Sequence, residues 1–240
     1  MGGIVQLDDY NYLLCNNPEI HIKDYQVLKK NRNRAELARF IKRRFTERYL
    51  QDFDEEDEEQ NMPKVPKRGG SGFASAASAV LTIEALESFR EGWIPNNTSG
   101  ALAFQQFFER NWKVGMPAER VYCSKPRRRV NCSCFYHGIR CAIPHNGETT
   151  GGWRLHSHAS QIFQPASLIL NPRKLRQLVR VDLKKYANDL AAAAWSPEFT
   201  SPLWTNFLRR MDWTVRHCKR TRLGGEGEMV NGKVVLDPSS

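Results

Sequence analysis

The segment FYHGIRCAIPHNGETTGGW, residues 135–153, brings a guanidinium and an imidazole close together in the chain: Arg140 and His145, with four residues between them. An arginine can grip a phosphate through two parallel hydrogen bonds, and a histidine titrates near neutrality. The pair therefore suits proton transfer at a phosphodiester. On an ideal helix, five steps of ~100° leave the two side chains about 140° apart. Pro144 has no N–H for the Arg140 carbonyl, and its ring crowds that carbonyl, so the helix is expected to kink or end there and let His145 swing back toward Arg140. From spacing alone, an arginine in a surface ion pair and a histidine capping a helix are the commoner outcome, because an Arg and a His at such a spacing occur often by chance. Glu84 is the carboxylate to watch. It sits among Leu81, Ile83, Ala85 and Leu86, and if it faces Arg140 it would fix the guanidinium; otherwise it is one more solvated helix charge.

Other chemistries leave weaker traces. There is no phosphate-binding glycine loop with its lysine, no dinucleotide fingerprint, no HExxH and no GxSxG. Cys123, Cys132, Cys134, Cys141, His137, His145, His156 and His158 fall within 36 positions, and zinc accepts such ligands. Their spacing fits no familiar zinc pattern, and on a helix Cys132 and Cys134 would diverge by about 200°. No metal ligands and no cofactor are therefore expected, a zinc-stabilised nucleic-acid binder being the weaker alternative. Trp204 and Trp213 lie at core spacing, whereas Trp153, in a Gly-rich turn beside the site, is the tryptophan most free to stack on an unpaired base.

The elements that must position these residues are mostly helical. Asp24 can cap a helix running to about Gln51, with Leu28, Leu37, Phe40, Ile41 and Phe45 as its apolar stripe. Residues 73–90 lack Gly and Pro and are followed by Gly92, which predicts a long helix whose Ala-rich first half permits close approach by a neighbour. Shorter helices are expected at 100–112 and 130–143, with strands or an extended excursion at 153–170. Asn171 as cap and Pro172 at the first position open a helix to about Ala194. A last helix covers about 201–219, and EMV-NG-KVV signals a hairpin. The fold class is all-α, a helical bundle with a small β excursion and a C-terminal β-hairpin. Residues 1–60 read as an arm and basic helix with an acidic linker, 61–195 as the helical core, and 196–240 as a basic helix and hairpin tail.

Charge narrows the partners. The chain has 240 residues and a formal net charge of +10. Residues 29–49 hold nine basic and two acidic groups, directly before seven acids and no base at 52–59. Lys125, Arg127, Arg128 and Arg129 form a second basic block, and 209–222 a third. Basic residues in short blocks are the footprint of a polyanion partner, and Lys125, Arg127, Arg128, Arg129, Arg43 and Arg44 are its expected contacts. Mean hydropathy is −0.58, and no window suits a membrane span or a secretion signal. Six cysteines without a paired framework point to a reducing, cytoplasmic setting and to no membrane partner.

RCAIPH at a helix end, downstream of the Glu-bearing helix ASAVLTIEALESF, resembles the HEPN superfamily of prokaryotic helical-bundle proteins, over about residues 71–194. The resemblance implies a metal-independent endoribonuclease, a toxin or effector in antiphage defence, that works as a homodimer with the Arg and His of both protomers lining one cleft. It places catalysis at Arg140 and His145, with Glu84 in support, and suggests an antitoxin or defence-complex protein as a further partner. The sequence departs from the family where a polar residue often follows the Arg, since Cys141 stands there, and in the proline before the His. Gly147 stands where a related toxin type carries a tyrosine that accepts a nucleotide. The rival expectation is a non-catalytic subunit that binds nucleic acid or a partner protein.

Overall fold

A computed structural model describes residues 13–16, 18–50, 72–94, 100–123, 132–223, 229–230 and 233–234. The acidic run at 52–59 lies outside them, as do Lys125, Arg127, Arg128 and Arg129. The chain is mostly helical, with eight α-helices among the described residues and small two- and three-stranded sheets.

Strands β1 (Leu13–Asn16) and β2 (Glu19–His21) pair antiparallel and lead into α1 (Ile22–Lys30). Asp24 does not cap this helix. It sits three residues inside, and its carboxylate accepts the His21 N–H at 2.8 Å, one half of a capping box. Nor does the helix run unbroken to Gln51. Arg32 takes φ 49°, and Asn33 then caps α2 (Arg34–Phe45), its side chain accepting the Glu36 N–H at 3.2 Å. Asparagine favours caps because its amide competes for the local backbone. A π-helical turn, Thr46–Leu50, ends the segment.

The long helix α3 (Gly72–Glu91) forms as expected. It is followed by Gly92 at φ 65°, where a Cβ would lie 2.9 Å from the Asn206 side-chain oxygen. Next come α4 (Gly100–Arg110), a 3₁₀ turn (Trp112–Val114) and α5 (Ala118–Val121). A π-helical turn, Tyr136–Cys141, runs straight into α6 (Ala142–Asn146). The predicted excursion is a three-stranded sheet in which β3 (Arg154–Leu155) pairs parallel with β5 (Ile169–Leu170), and β4 (Phe163–Gln164) pairs antiparallel with β5. Asn171 caps α7 (Pro172–Ala192), accepting the Lys174 N–H at 3.1 Å. Helix α8 (Pro202–Leu223) extends four residues beyond its expected end, and β6 (Met229–Val230) and β7 (Lys233–Val234) pair as the predicted hairpin.

Two hydrophobic cores result. One gathers Leu14, Tyr25, Phe40 and Phe45 with Leu86, Phe89, Tyr186, Trp204 and Phe207. The other gathers Ala76, Val80 and Ile83 with Phe104, Phe108, Phe135, Trp153, Phe163 and Leu175. Helices α3 and α7 span both, each giving its N-terminal half to the second core and its C-terminal half to the first. The first core thus draws on all three sequence segments, because amphipathic helices of an arm and a tail need a common surface on which to bury.

Candidate functional site

The Arg140 helix is seated on aromatic rings. Phe135, fully buried, packs edge-on against Phe108, Phe163 and Trp153. One turn on, Gly138 lies so close to Trp153 that a Cβ would fall 2.4 Å from its Cδ1. The widened π turn exposes the Gly138 carbonyl, which accepts the Thr150 N–H at 3.0 Å. Trp153 is 3% exposed and donates to the Ser133 carbonyl at 3.0 Å, so it is a packing residue and not a base-stacking one.

That seating sets the catalytic candidates. Arg140 Nη2 donates to Glu84 Oε2 at 2.7 Å, joining the π turn to α3 as the two residues' chemistry suggested. Both side chains are partly accessible, at 25% and 19%. Burial lowers the guanidinium's pKa, but the Glu84 hydrogen bond and charge outweigh it, and the group is held above its ordinary value. Its Nε is buried with no hydrogen-bond partner among the described residues. The Arg140 guanidinium carbon stands 5.9 Å from the Tyr136 ring centroid. The Tyr136 phenol is raised by burial and by neighbouring Cys141, which keeps it neutral. Gly100, at the start of α4, leaves space here; a Cβ would lie 2.9 Å from Glu84 Oε1 and 2.8 Å from Tyr136 Oη.

His145 is placed differently from the sequence expectation. The helix does not end at Pro144: it continues to Asn146 and stops at Gly147, φ 69°. Pro144 falls in the first turn of α6, where a missing N–H costs least after the shift from π to α register. His145 is exposed on the last turn, with no hydrogen bond or ion pair to Arg140 or Glu84. Within one chain, then, Glu84 and Arg140 come together and His145 stands apart.

Of the expected RNA contacts, Arg43 is partly exposed, whereas Arg44 is 6% exposed and donates to the Leu14 carbonyl. Arg44 is therefore withdrawn from the surface; its role is to satisfy a buried strand carbonyl. The other four lie outside the described residues. His156 and His158 are exposed, their rings 6.2 Å apart.

A buried charge cluster gave no signal in the sequence. Glu87, one turn beyond Glu84, is fully buried, bonded by Arg110 and 3.6 Å from Arg90, which also binds Asp182 at 2.9 Å. Burial pushes the Glu87 carboxyl up to about 7 despite both arginines. A carboxyl raised on folding stabilises the native state fully below its unfolded value, near 4.5, and that contribution is lost as pH rises to about 7. Urea unfolding of the wild type should therefore lose on the order of 1–3 kcal/mol from this group between pH 5 and 8. Glu87→Gln should flatten the profile. An unchanged slope in the variant would assign it to other groups.

Cysteine placement also departs from expectation. Cys132 and Ser133 precede the helix, so the predicted divergence does not arise: the Cys132 and Cys134 sulfurs are 3.2 Å apart. They converge with Cys123 and His137, while Cys141, His145, His156 and His158 take no part. No helix among the described residues is long and apolar enough to cross a membrane. No protein-family model, curated protein or solved structure matches the chain.

Proposed function

We propose that the chain is a HEPN-type, metal-independent endoribonuclease acting as a homodimer. The observation that carries this reading is the Glu84–Arg140 pair, a partly accessible guanidinium held by a carboxylate from the preceding long helix. Such a group is poised to bind a phosphate oxygen and to stabilise the charge on a phosphorane-like transition state. The RNA 2′-OH attacks its own phosphorus. A histidine takes the 2′-OH proton, a second proton reaches the departing 5′ oxygen, and the products are a 2′,3′-cyclic phosphate and a 5′-OH. One exposed His145 cannot perform both transfers in a single step, so the two-fold pairing supplies the second. Leu81, one turn before Glu84 and 43% exposed, and Leu102, near Gly100 and 45% exposed, offer apolar surface beside the site for that pairing. The biological role that goes with this chemistry is a toxin or effector in antiphage defence, held in check by an antitoxin or a partner protein.

Labelled tRNA and mRNA incubated in EDTA test the reading. Wild type should cut RNA and leave a DNA oligonucleotide intact, and His145→Ala should abolish cutting. Leu81→Arg with Leu102→Arg should give a monomer by light scattering, inactive at assay concentrations. The absence of any hydrogen bond or ion pair from His145 to the Glu84–Arg140 pair favours a second reading, a non-catalytic nucleic-acid- or partner-binding subunit. RNA binding without cleavage in wild type would select it.

A further inference from the structure

We propose that Cys123, Cys132, Cys134 and His137 form a structural zinc site. Their ligand atoms all lie within 4.8 Å of one another. His137 Nδ1 is 3.1 Å from the Cys134 sulfur, 3.5 Å from that of Cys132 and 3.6 Å from that of Cys123. A tetrahedral ion with Zn–S near 2.3 Å and Zn–N near 2.0–2.1 Å sets S···N edges of about 3.6 Å and S···S edges of about 3.8 Å. The three His137 edges and the Cys132–Cys134 edge, at 3.2 Å, lie within about 0.6 Å of these values, whereas the Cys123 and Cys132 sulfurs stand far inside theirs. The structure brings the sulfurs of Cys123 and Cys132 to disulfide-bonding distance, yet their Cα atoms are 7.5 Å apart, beyond the about 4.4–6.8 Å that disulfides usually span; reduced, both sulfurs face the same centre as Cys134 and His137.

Three elements deliver the ligands, so the spacing in sequence resembles no standard motif. Cys123 follows α5, Cys132 and Cys134 lie on the approach to the π turn, and His137 is on that turn. The approach is held from outside. Arg120 donates to the Ser133 hydroxyl at 2.8 Å, Trp153 donates to the Ser133 carbonyl at 3.0 Å, and Gly151 packs so tightly that a Cβ would meet the Cys132 carbonyl. The Tyr122 and Tyr136 rings flank His137 at 5.7 and 5.3 Å. Loading the ion deprotonates three thiols and releases three protons, and the neutral imidazole completes the set. Three thiolates and Zn²⁺ leave one negative charge, beside the Arg120 cation. A closed four-ligand set without an open position is structural rather than catalytic. Cys123 and Cys132 also bracket, in sequence, eight residues that include Lys125, Arg127, Arg128 and Arg129.

Zinc content reads this out independently of any RNA cleavage. Wild type purified with a thiol reductant should carry about one zinc per chain by mass spectrometry of the metal. Cys134→Ser and His137→Ala should each lose most of it, whereas Cys141→Ser and His145→Ala should retain it. Cobalt added to metal-stripped wild type should give the thiolate charge-transfer and tetrahedral d–d bands, a readout that depends on no substitution. Metal at background level in the reduced wild type, with no cobalt–thiolate band, would overturn the proposal; peptide mapping would then assign Cys123 and Cys132 to a disulfide.

Discussion

Arg140→Ala is expected to reduce RNA cleavage by roughly 10²–10³-fold, the cost of removing one oriented donor to transition-state charge. Under the proposed mechanism the guanidinium binds the phosphorane-like oxygen, so kcat should fall more than KM rises. Glu84 does not touch substrate in this scheme. It positions Arg140 through the 2.7 Å bond, so Glu84→Gln, which keeps an acceptor oxygen but loses the charge, should cost less, about tenfold. Combined with Arg140→Ala it should add almost nothing, because residues acting as a unit are non-additive. Both side chains are partly exposed, so neither change should unfold the protein, and circular dichroism would check that. Equal and additive losses would mean that Glu84 acts on the substrate in its own right. Full activity in Arg140→Ala would remove the arginine from catalysis.

A large stability effect should come from Gly138. A β-carbon there falls 2.4 Å from Trp153 Cδ1 and 2.9 Å from the Thr150 carbonyl, and Trp153 is held by its own bond to Ser133. Neither neighbour is the loose end of a flexible side chain. Gly138→Ala should cost about 2–3 kcal/mol and Gly138→Val more, by overpacking. For a chain of this size that lowers Tm by roughly 5–10 °C. Trp153 emission should shift red as the ring is displaced. The same change should weaken cleavage by moving the turn that carries Arg140. A variant as stable as wild type, with unshifted fluorescence, would show that the turn and the tryptophan are not in contact.

The elements with local signals were legible in the sequence. Helix α3, with Gly92 beyond its end, α7 with Asn171 as cap, α8 and the hairpin around Asn231-Gly232 each carry their periodicity and punctuation within a few residues, and the mostly helical class follows from them. The link from Glu84 to Arg140 could be posed from residue types, but 56 positions separate the two, and only packing brings a carboxylate to a guanidinium. Where local and tertiary preferences compete, tertiary contacts prevailed. Pro144 should have broken its helix, yet the π turn seated on Trp153 carries the chain past it and leaves His145 on the surface. Arg44 belongs by sequence to a basic block, but β1 covers it and takes its hydrogen bond. Cys132 and Cys134 diverge only on a helix, and the chain is not helical there because Ser133 is pinned by Arg120 and Trp153. Periodicity is a property of neighbours along one chain; Cys132, Cys134 and His137 are such neighbours, but they converge only because the chain is not helical up to Ser133, and Cys123 joins them from the end of a different helix.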